Sequence, residues 1–219
     1  MKDIINGMCY IFEKGYVHND LKPENLLIKE NILLSNSKNP AITIIDFGIS
    51  GKIGDETNSL LFYGTPQYMS PEKAFSYIRF TYDQKKTKYT LNIADDIWAI
   101  GCIYYYILLI SPPWEQFNLT RDNKSTYNGG FQEDFLISLA NMAEVPLESN
   151  LQIGDILNLR GNERRLQFMP NFGDKILNQQ FKNFFFGSVK ERNIETLKNL
   201  RDYLNAGESI IKWVPPMVA

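Results

Sequence analysis

The segment His18-Asn19-Asp20-Leu21-Lys22-Pro23-Glu24-Asn25 constrains the fold more than any other part of this chain. It reads as a polar turn and holds a carboxylate, an amine and an amide within six positions, Asp20 to Asn25. Asp46-Phe47-Gly48 begins 21 residues after Asn25. Between them lie Leu26-Leu27-Ile28 and the run Ala41 to Ile45, which read as two short strands. The Asn/Ser/Lys stretch 29–40 that joins them is longer than a tight hairpin needs. The turn before the first strand and the end of the second can therefore converge.

Helix surrounds this hairpin. Residues 3–14 place Ile4, Ile5, Met8, Cys9, Ile11 and Phe12 on one stripe, and Gly15 follows as a cap. An apolar helix runs from Asp96 to Ile110 and stops at Pro112-Pro113. Ile194, Leu197, Leu200 and Leu204 recur at helical spacing and predict a final amphipathic helix. Residues 133–145 and 174–186 also have helical spacing, whereas 46–72, punctuated by Gly and Pro, read as an exposed segment. Two strands alone cannot make a sheet domain, so the expected class is mainly α with a short β-hairpin. Trp213-Val214-Pro215-Pro216 reads as a frayed tail.

Composition excludes several classes. The chain is 44% apolar and 22% charged, which is globular rather than disordered. With 23 Lys+Arg against 25 Asp+Glu, non-specific binding to nucleic acid or a membrane surface is disfavoured. The longest apolar run, Ile97 to Ile110, has 14 residues, short of the roughly 20 that span a bilayer. No apolar block near Met1 resembles a signal peptide. Cys9 and Cys102 lack metal-ligand spacing and read as buried thiols of an intracellular, cytoplasmic protein. His18 is the single histidine, so most His-based metal or triad chemistry is excluded unless it centres there.

The residues that remain suit phosphoryl transfer. A hard Mg²⁺ ion takes oxygen ligands, and Asp46 and Asn25 offer a carboxylate and an amide carbonyl. An attacking hydroxyl needs an acceptor for its proton, which Asp20 supplies. Charge on a transferred phosphate needs a cation nearby, and Lys22 is two residues from that acceptor. Gly48 lets the backbone turn sharply beside Asp46.

At these residues the sequence resembles the eukaryotic protein kinase family, serine/threonine type. His-x-Asp-x-Lys-x-x-Asn and Asp-Phe-Gly are similar to its catalytic-loop and metal-loop motifs. Gly64-Thr65-Pro66-Gln67-Tyr68-Met69-Ser70-Pro71-Glu72 resembles the end of its activation segment, with Ser70 where Ala is usual. Asp96-Ile97-Trp98-Ala99-Ile100-Gly101 resembles the start of its central helix, and Val189-Lys190-Glu191-Arg192 the loop before its last helix. The resemblance implies a partial catalytic domain over 1–205, a kinase-like C-terminal lobe, with a tail over 206–219.

The resemblance also assigns roles. Asp20 would be the catalytic base and Lys22 the γ-phosphate contact. Asn25 and Asp46 would hold Mg²⁺. Lys22, Glu24, Asn25, Leu27 and Asp46 would surround ATP, with Leu27 as the floor under adenine. Thr65 would face the substrate hydroxyl, and with Lys22 it implies Ser/Thr specificity. Phe47 would stack on His18, a structural core histidine. Asp96 would accept hydrogen bonds from the catalytic-loop backbone; as an isolated residue it also reads as a helix N-cap. Glu72 and Arg192 would form a buried ion pair. The implied partners are ATP and a protein substrate; oligomeric state is not implied. Small-molecule phosphotransferases share the Asp20-to-Asn25 spacing but would not be expected to show Gly-Thr-Pro…Ser-Pro-Glu.

Two departures from the family pattern follow. Asn19 stands where many regulated kinases have an Arg that pairs with a phosphate on the activation segment. Ser50, Thr57, Ser59 and Tyr63 therefore lack one expected cationic partner, and weak or no dependence on their phosphorylation is expected. No glycine-rich loop, strand lysine or helix glutamate precedes the first helix. The expectation is that the small N-terminal lobe is absent and that the chain alone has little or no activity. The alternative is a non-catalytic, kinase-like interaction module.

Overall fold

The computed structural model describes residues 1–28, 41–57, 64–83, 88–109, 135–136, 139–140 and 184–216. The first helix, α1 (Lys2–Glu13), buries Ile4, Ile5, Met8, Cys9 and Phe12. Each such side chain, fully buried, stabilises the fold by about 1.5–3 kcal/mol. Lys14 closes α1 in the helical region, and Gly15 follows at φ 81°, a left-handed conformation that favours glycine. The chain then turns into β1 (Tyr16–Val17).

The predicted hairpin is β2 (Leu26–Ile28) with β3 (Ile42–Ile44), antiparallel, Leu26 opposite Ile44 and Ile28 opposite Ile42. It packs against α1, where Asp3 accepts from the Ile42 amide at 3.0 Å. Two further antiparallel pairs were not expected. β1 pairs with β4 (Gly51–Lys52), and β5 (Glu56–Thr57) pairs with β6 (Tyr89–Thr90). Each has only two residues per strand, too few to leave an alternating pattern.

Residues 46–48 and 52–56 are exposed, as expected for this segment, but its end is not. Tyr68, Met69 and Ser70 are buried. Ser70 caps α2 (Pro71–Asp83), accepting from the Lys73 amide at 3.1 Å, with Pro71 at the first helical position.

The apolar helix α3 (Ile93–Leu109) starts three residues before the predicted Asp96. Asn92 is the capping residue, accepting from the Asp95 amide at 3.3 Å. Asp96 is therefore not an N-cap but lies inside the first turns. A Cβ on Gly101 would meet Phe185 Cβ at 2.7 Å, so residues 184–186, a helical turn, pack directly on α3. The remainder of the 133–145 and 174–186 expectations, and Pro112-Pro113, lies outside the described residues.

The last helix, α4 (Ile194–Asn205), is capped by Asn193, which accepts from the Thr196 amide at 2.9 Å. It buries Leu197, Leu200 and Leu204 and packs on α1. The C-terminal segment is not frayed at Trp213. That indole is 1% exposed, stacks edge-on at 5.4 Å from Phe184, and donates from Nε1 to Asn199 at 3.0 Å. An aromatic of this size gains more by docking than the short tail loses in entropy. No helix among the described residues is long and apolar enough to cross a membrane.

Candidate active site

The site is built from the turn that follows β1, and α3 holds that turn by its peptide groups. Asp96, 2% exposed, accepts from the His18 amide at 2.7 Å and from the Asn19 amide at 2.9 Å. Burial pushes its carboxyl up to about 6, and the two backbone N–H bonds oppose that rise. His18 is fully buried. Its Nδ1 accepts from the Asp20 amide at 3.3 Å, which leaves the proton on Nε2, 3.0 Å from Ile45 O. Its ring lies 5.1 Å from that of Phe47, tilted by 57°.

Asp20 sits at the exit of the turn and gathers the cluster. Its Oδ2 is 2.8 Å from Lys22 Nζ. Its Oδ1 accepts from the Thr65 amide at 3.0 Å and from Thr65 Oγ1 at 3.2 Å. Lys22 Nζ also donates to Thr65 Oγ1 at 2.9 Å. Carboxylate, ammonium and threonine thus form a closed triangle, although Thr65 is 45 residues from Asp20.

Asn25 ends the 3-10 turn Pro23–Asn25 and is buried. Its Nδ2 donates to Asp20 O at 2.7 Å, so the Oδ1 end of the amide points the other way. Asn25 O accepts from Ile45 N at 2.9 Å, one step beyond the Leu26–Ile44 pair. Asp46 follows immediately, at the same end of the β2–β3 ladder as Asn25. Its carboxylate is exposed and its Oδ1 accepts from the Gly48 amide at 3.3 Å. Glu24 and Leu27 present their side chains to solvent on the same connection.

Among the described residues no group of three His, Cys, Asp or Glu forms a metal cage. One carboxylate and one amide oxygen suit Mg²⁺ nonetheless, because that ion keeps waters and takes phosphate oxygens to complete its shell. Those two donors therefore fit Mg²⁺ only together with a phosphate ligand.

Asn19 and Asp46 are the non-glycine residues with positive φ among those described, at 70° and 63°. Asn and Asp tolerate this region best, and strained backbone of this kind gathers at functional sites. The residue types at both positions carried that signal.

Sequence reasoning missed a second polar layer beneath the turn. Lys73, 3% exposed, donates from Nζ to Asn19 O and to Asn19 Oδ1, each at 2.8 Å. Asp95, also buried, accepts from the hydroxyls of Ser70 and Tyr89. Burial holds the Lys73 amine below the usual lysine range and the Asp95 carboxyl above the usual carboxylate range. The unusual Ser70 and Asn19 were the visible clues to this layer.

Glu72 and Arg192 stand 2.7 Å apart, with the Arg side chain fully buried. Arg192 Nη1 also donates to Ala94 O at 3.1 Å, and the guanidinium lies 5.3 Å from the Trp98 ring. The pair ties α2 to the loop before α4 and to α3.

Of the four hydroxyls noted after Asp46, Ser50 is engaged: its Oγ donates to His18 O at 3.0 Å, so it supports the turn rather than standing free. Thr57 lies in β5, and Ser59 and Tyr63 lie outside the described residues. Replacing Thr57 and Ser59 by Ala and Tyr63 by Phe together should leave the phosphotransfer that the resemblance implies within about twofold of wild type, since Asn19 offers a phosphate no guanidinium. Initial-rate measurement checks this; a collapse restored by acidic replacements would reverse it.

Comparison with known proteins identifies a family and several relatives. The protein kinase domain family matches residues 1–185. A probable serine/threonine-protein kinase, fhkE of Dictyostelium discoideum, is 32% identical over 133 residues, 61% of this chain and 17% of that protein. Calcium/calmodulin-dependent protein kinase type II of Caenorhabditis briggsae is 37% identical over 117 residues, 53% of this chain and 19% of that protein. Serine/threonine-protein kinase atg1 of Dictyostelium discoideum is 30% identical over 184 residues, 81% of this chain. The chain spans 23% of the length of atg1, so it corresponds to a fraction of each of these relatives. With a family match over most of its length, and helices and short antiparallel strands in agreement, the chain belongs to the eukaryotic protein kinase family.

Proposed function

We infer that the protein transfers the terminal phosphoryl group of Mg-ATP to serine or threonine hydroxyls of a protein substrate. The observation that carries this reading is the triangle of Asp20, Lys22 and Thr65. Asp20 is the group that takes the proton of the attacking hydroxyl. Lys22, 2.8 Å away, sets a positive charge where negative charge builds up. Thr65 borders the place an acceptor hydroxyl would enter and supplies its own N–H and O–H to orient the Asp20 carboxylate. Asn25 and Asp46 would hold the Mg²⁺, and Glu24 and Leu27 would border the nucleotide. Bound Mg-ATP supplies the phosphoryl group and the electrophilic phosphorus.

The names of the two Dictyostelium discoideum relatives support the Ser/Thr assignment, as do Lys22 and Thr65. The test is transfer of labelled phosphate from ATP by the natural-length gene product in Mg²⁺. Labelled phosphoserine or phosphothreonine is the expected product, and Asp20→Asn should lower the rate about 10²–10⁴-fold. No transfer by wild type, or equal transfer by both forms, would overturn the reading. The first result would favour an interaction module that only binds its partner.

A further inference from the structure

Lys73 is a buried cation that the proposed chemistry does not use. It projects from the first turn of α2, directly after the segment that carries Thr65. Its ammonium reaches both oxygens of Asn19, the residue next to Asp20. Gly64 permits this approach, since a Cβ there would lie 3.2 Å from Lys73 Nζ. Two carboxylates, Asp95 and Asp96, and more weakly Asp20, supply the negative field that keeps an amine tolerable in this place. Asp95 is itself clamped by Ser70 and Tyr89, and Ser70 caps the helix that carries Lys73. Asn19, Gly64, Thr65, Lys73 and Asp95 line one narrow pocket, and Lys73 is only 3% exposed within it.

We propose that Lys73 is an internal clamp that fastens the Gly64–Ser70 segment onto the turn bearing Asp20 through its two bonds to Asn19, doing the work of a phosphate-dependent contact without any phosphate. This makes Lys73 a positioning residue. It acts through Asn19, whose left-handed backbone its two bonds hold in place, and through Thr65, whose N–H then meets Asp20. The cation comes from the segment itself, where regulated relatives would place it on the turn. The proposal rests on Asp20 being the proton acceptor.

The test compares wild type, Lys73→Met, Lys73→Arg, Asn19→Gly and Asp20→Asn in the natural-length protein. Two readouts are taken: steady-state phosphotransfer and native-state hydrogen exchange of the Thr65 and Asn19 amides. Lys73→Met keeps the side-chain volume and removes the charge. It should lower kcat about 100-fold, the effect of misplacing a reacting group by about 1 Å, with KM for Mg-ATP nearly unchanged. It should also speed exchange at Thr65 about tenfold, since hydrogen bonds to a charged group anchor that segment. Asn19→Gly keeps the left-handed backbone and should give a smaller loss of the same kind. Lys73→Arg should restore part of both.

The proposal falls if Lys73→Met merely lowers the melting temperature while kcat and Thr65 exchange stay at wild-type values, whatever Asp20→Asn does. If wild type transfers no phosphate, the functional reading fails instead. The exchange measurement then still decides whether Lys73 holds the segment.

Discussion

Asp96→Ala should destabilise the protein on the order of 4 kcal/mol, because it strands two buried backbone N–H groups whose desolvation costs about 1–3 kcal/mol each. Those groups are the amides of His18 and Asn19, bonded at 2.7 and 2.9 Å. The same change frees the turn that carries Asp20, so phosphotransfer should drop further than stability alone explains. Asp96→Asn should fall between the two forms. Its single carbonyl can accept one amide, while its NH₂ faces the other donor. Denaturant unfolding and exchange at residues 18 and 19 measure the effect. A loss below about 1 kcal/mol for Asp96→Ala would mean that water replaces the carboxylate without strain.

The second large effect is at Arg192. Arg192→Leu should cost about 3–5 kcal/mol, because removing one partner of a buried pair leaves an uncompensated charge. Glu72 is 17% exposed and the guanidinium is fully buried, so solvent can rescue little. The Ala94 carbonyl would lose the Nη1 donor as well, whereas the Ser188 carbonyl keeps the backbone amides of Glu191 and Arg192. The double change Glu72→Leu with Arg192→Leu should recover part of the loss, since apolar replacement of a whole buried pair is often nearly neutral. Urea unfolding of the single and double variants checks this. A cost under about 1 kcal/mol for Arg192→Leu would put the pair in the class of exposed ion pairs.

The parts of this fold that were legible are those written in helical period or in a contiguous motif. The stripe from Ile4 to Phe12 and the repeat from Ile194 to Leu204 locate α1 and α4 to within a residue or two. Asp20, Lys22 and Asn25 stand close in sequence, and Asp46 was placed by the short strand before it. What could not be read rests on contacts between distant residues. The two-residue pairs β1–β4 and β5–β6 bury too little to imprint a pattern. The start of α3 depends on Asn92, whose cap looks like any loop asparagine until Asp95 is known to follow in helix. Trp213 resembled a tail residue because its partners, Phe184 and Asn199, lie in other elements. Lys73 drew no reading from the sequence, since nothing local announces that Asn19 lies above it.

The turn at residues 18 and 19 is held largely through its main chain. Asp96 takes two amides, Ser50 reaches the carbonyl of His18, and Lys73 reaches the carbonyl of Asn19. Peptide groups are the same whatever side chain hangs from them. The main-chain anchors would therefore survive a change of side chain at position 19, but its positive φ and the bonds of the Asn19 side-chain amide to Lys73 and to Ile49 O narrow the residues that can stand there. The backbone fixes where Asp20 sits, and the side chain beside it sets how firmly the neighbouring segments are tied to it.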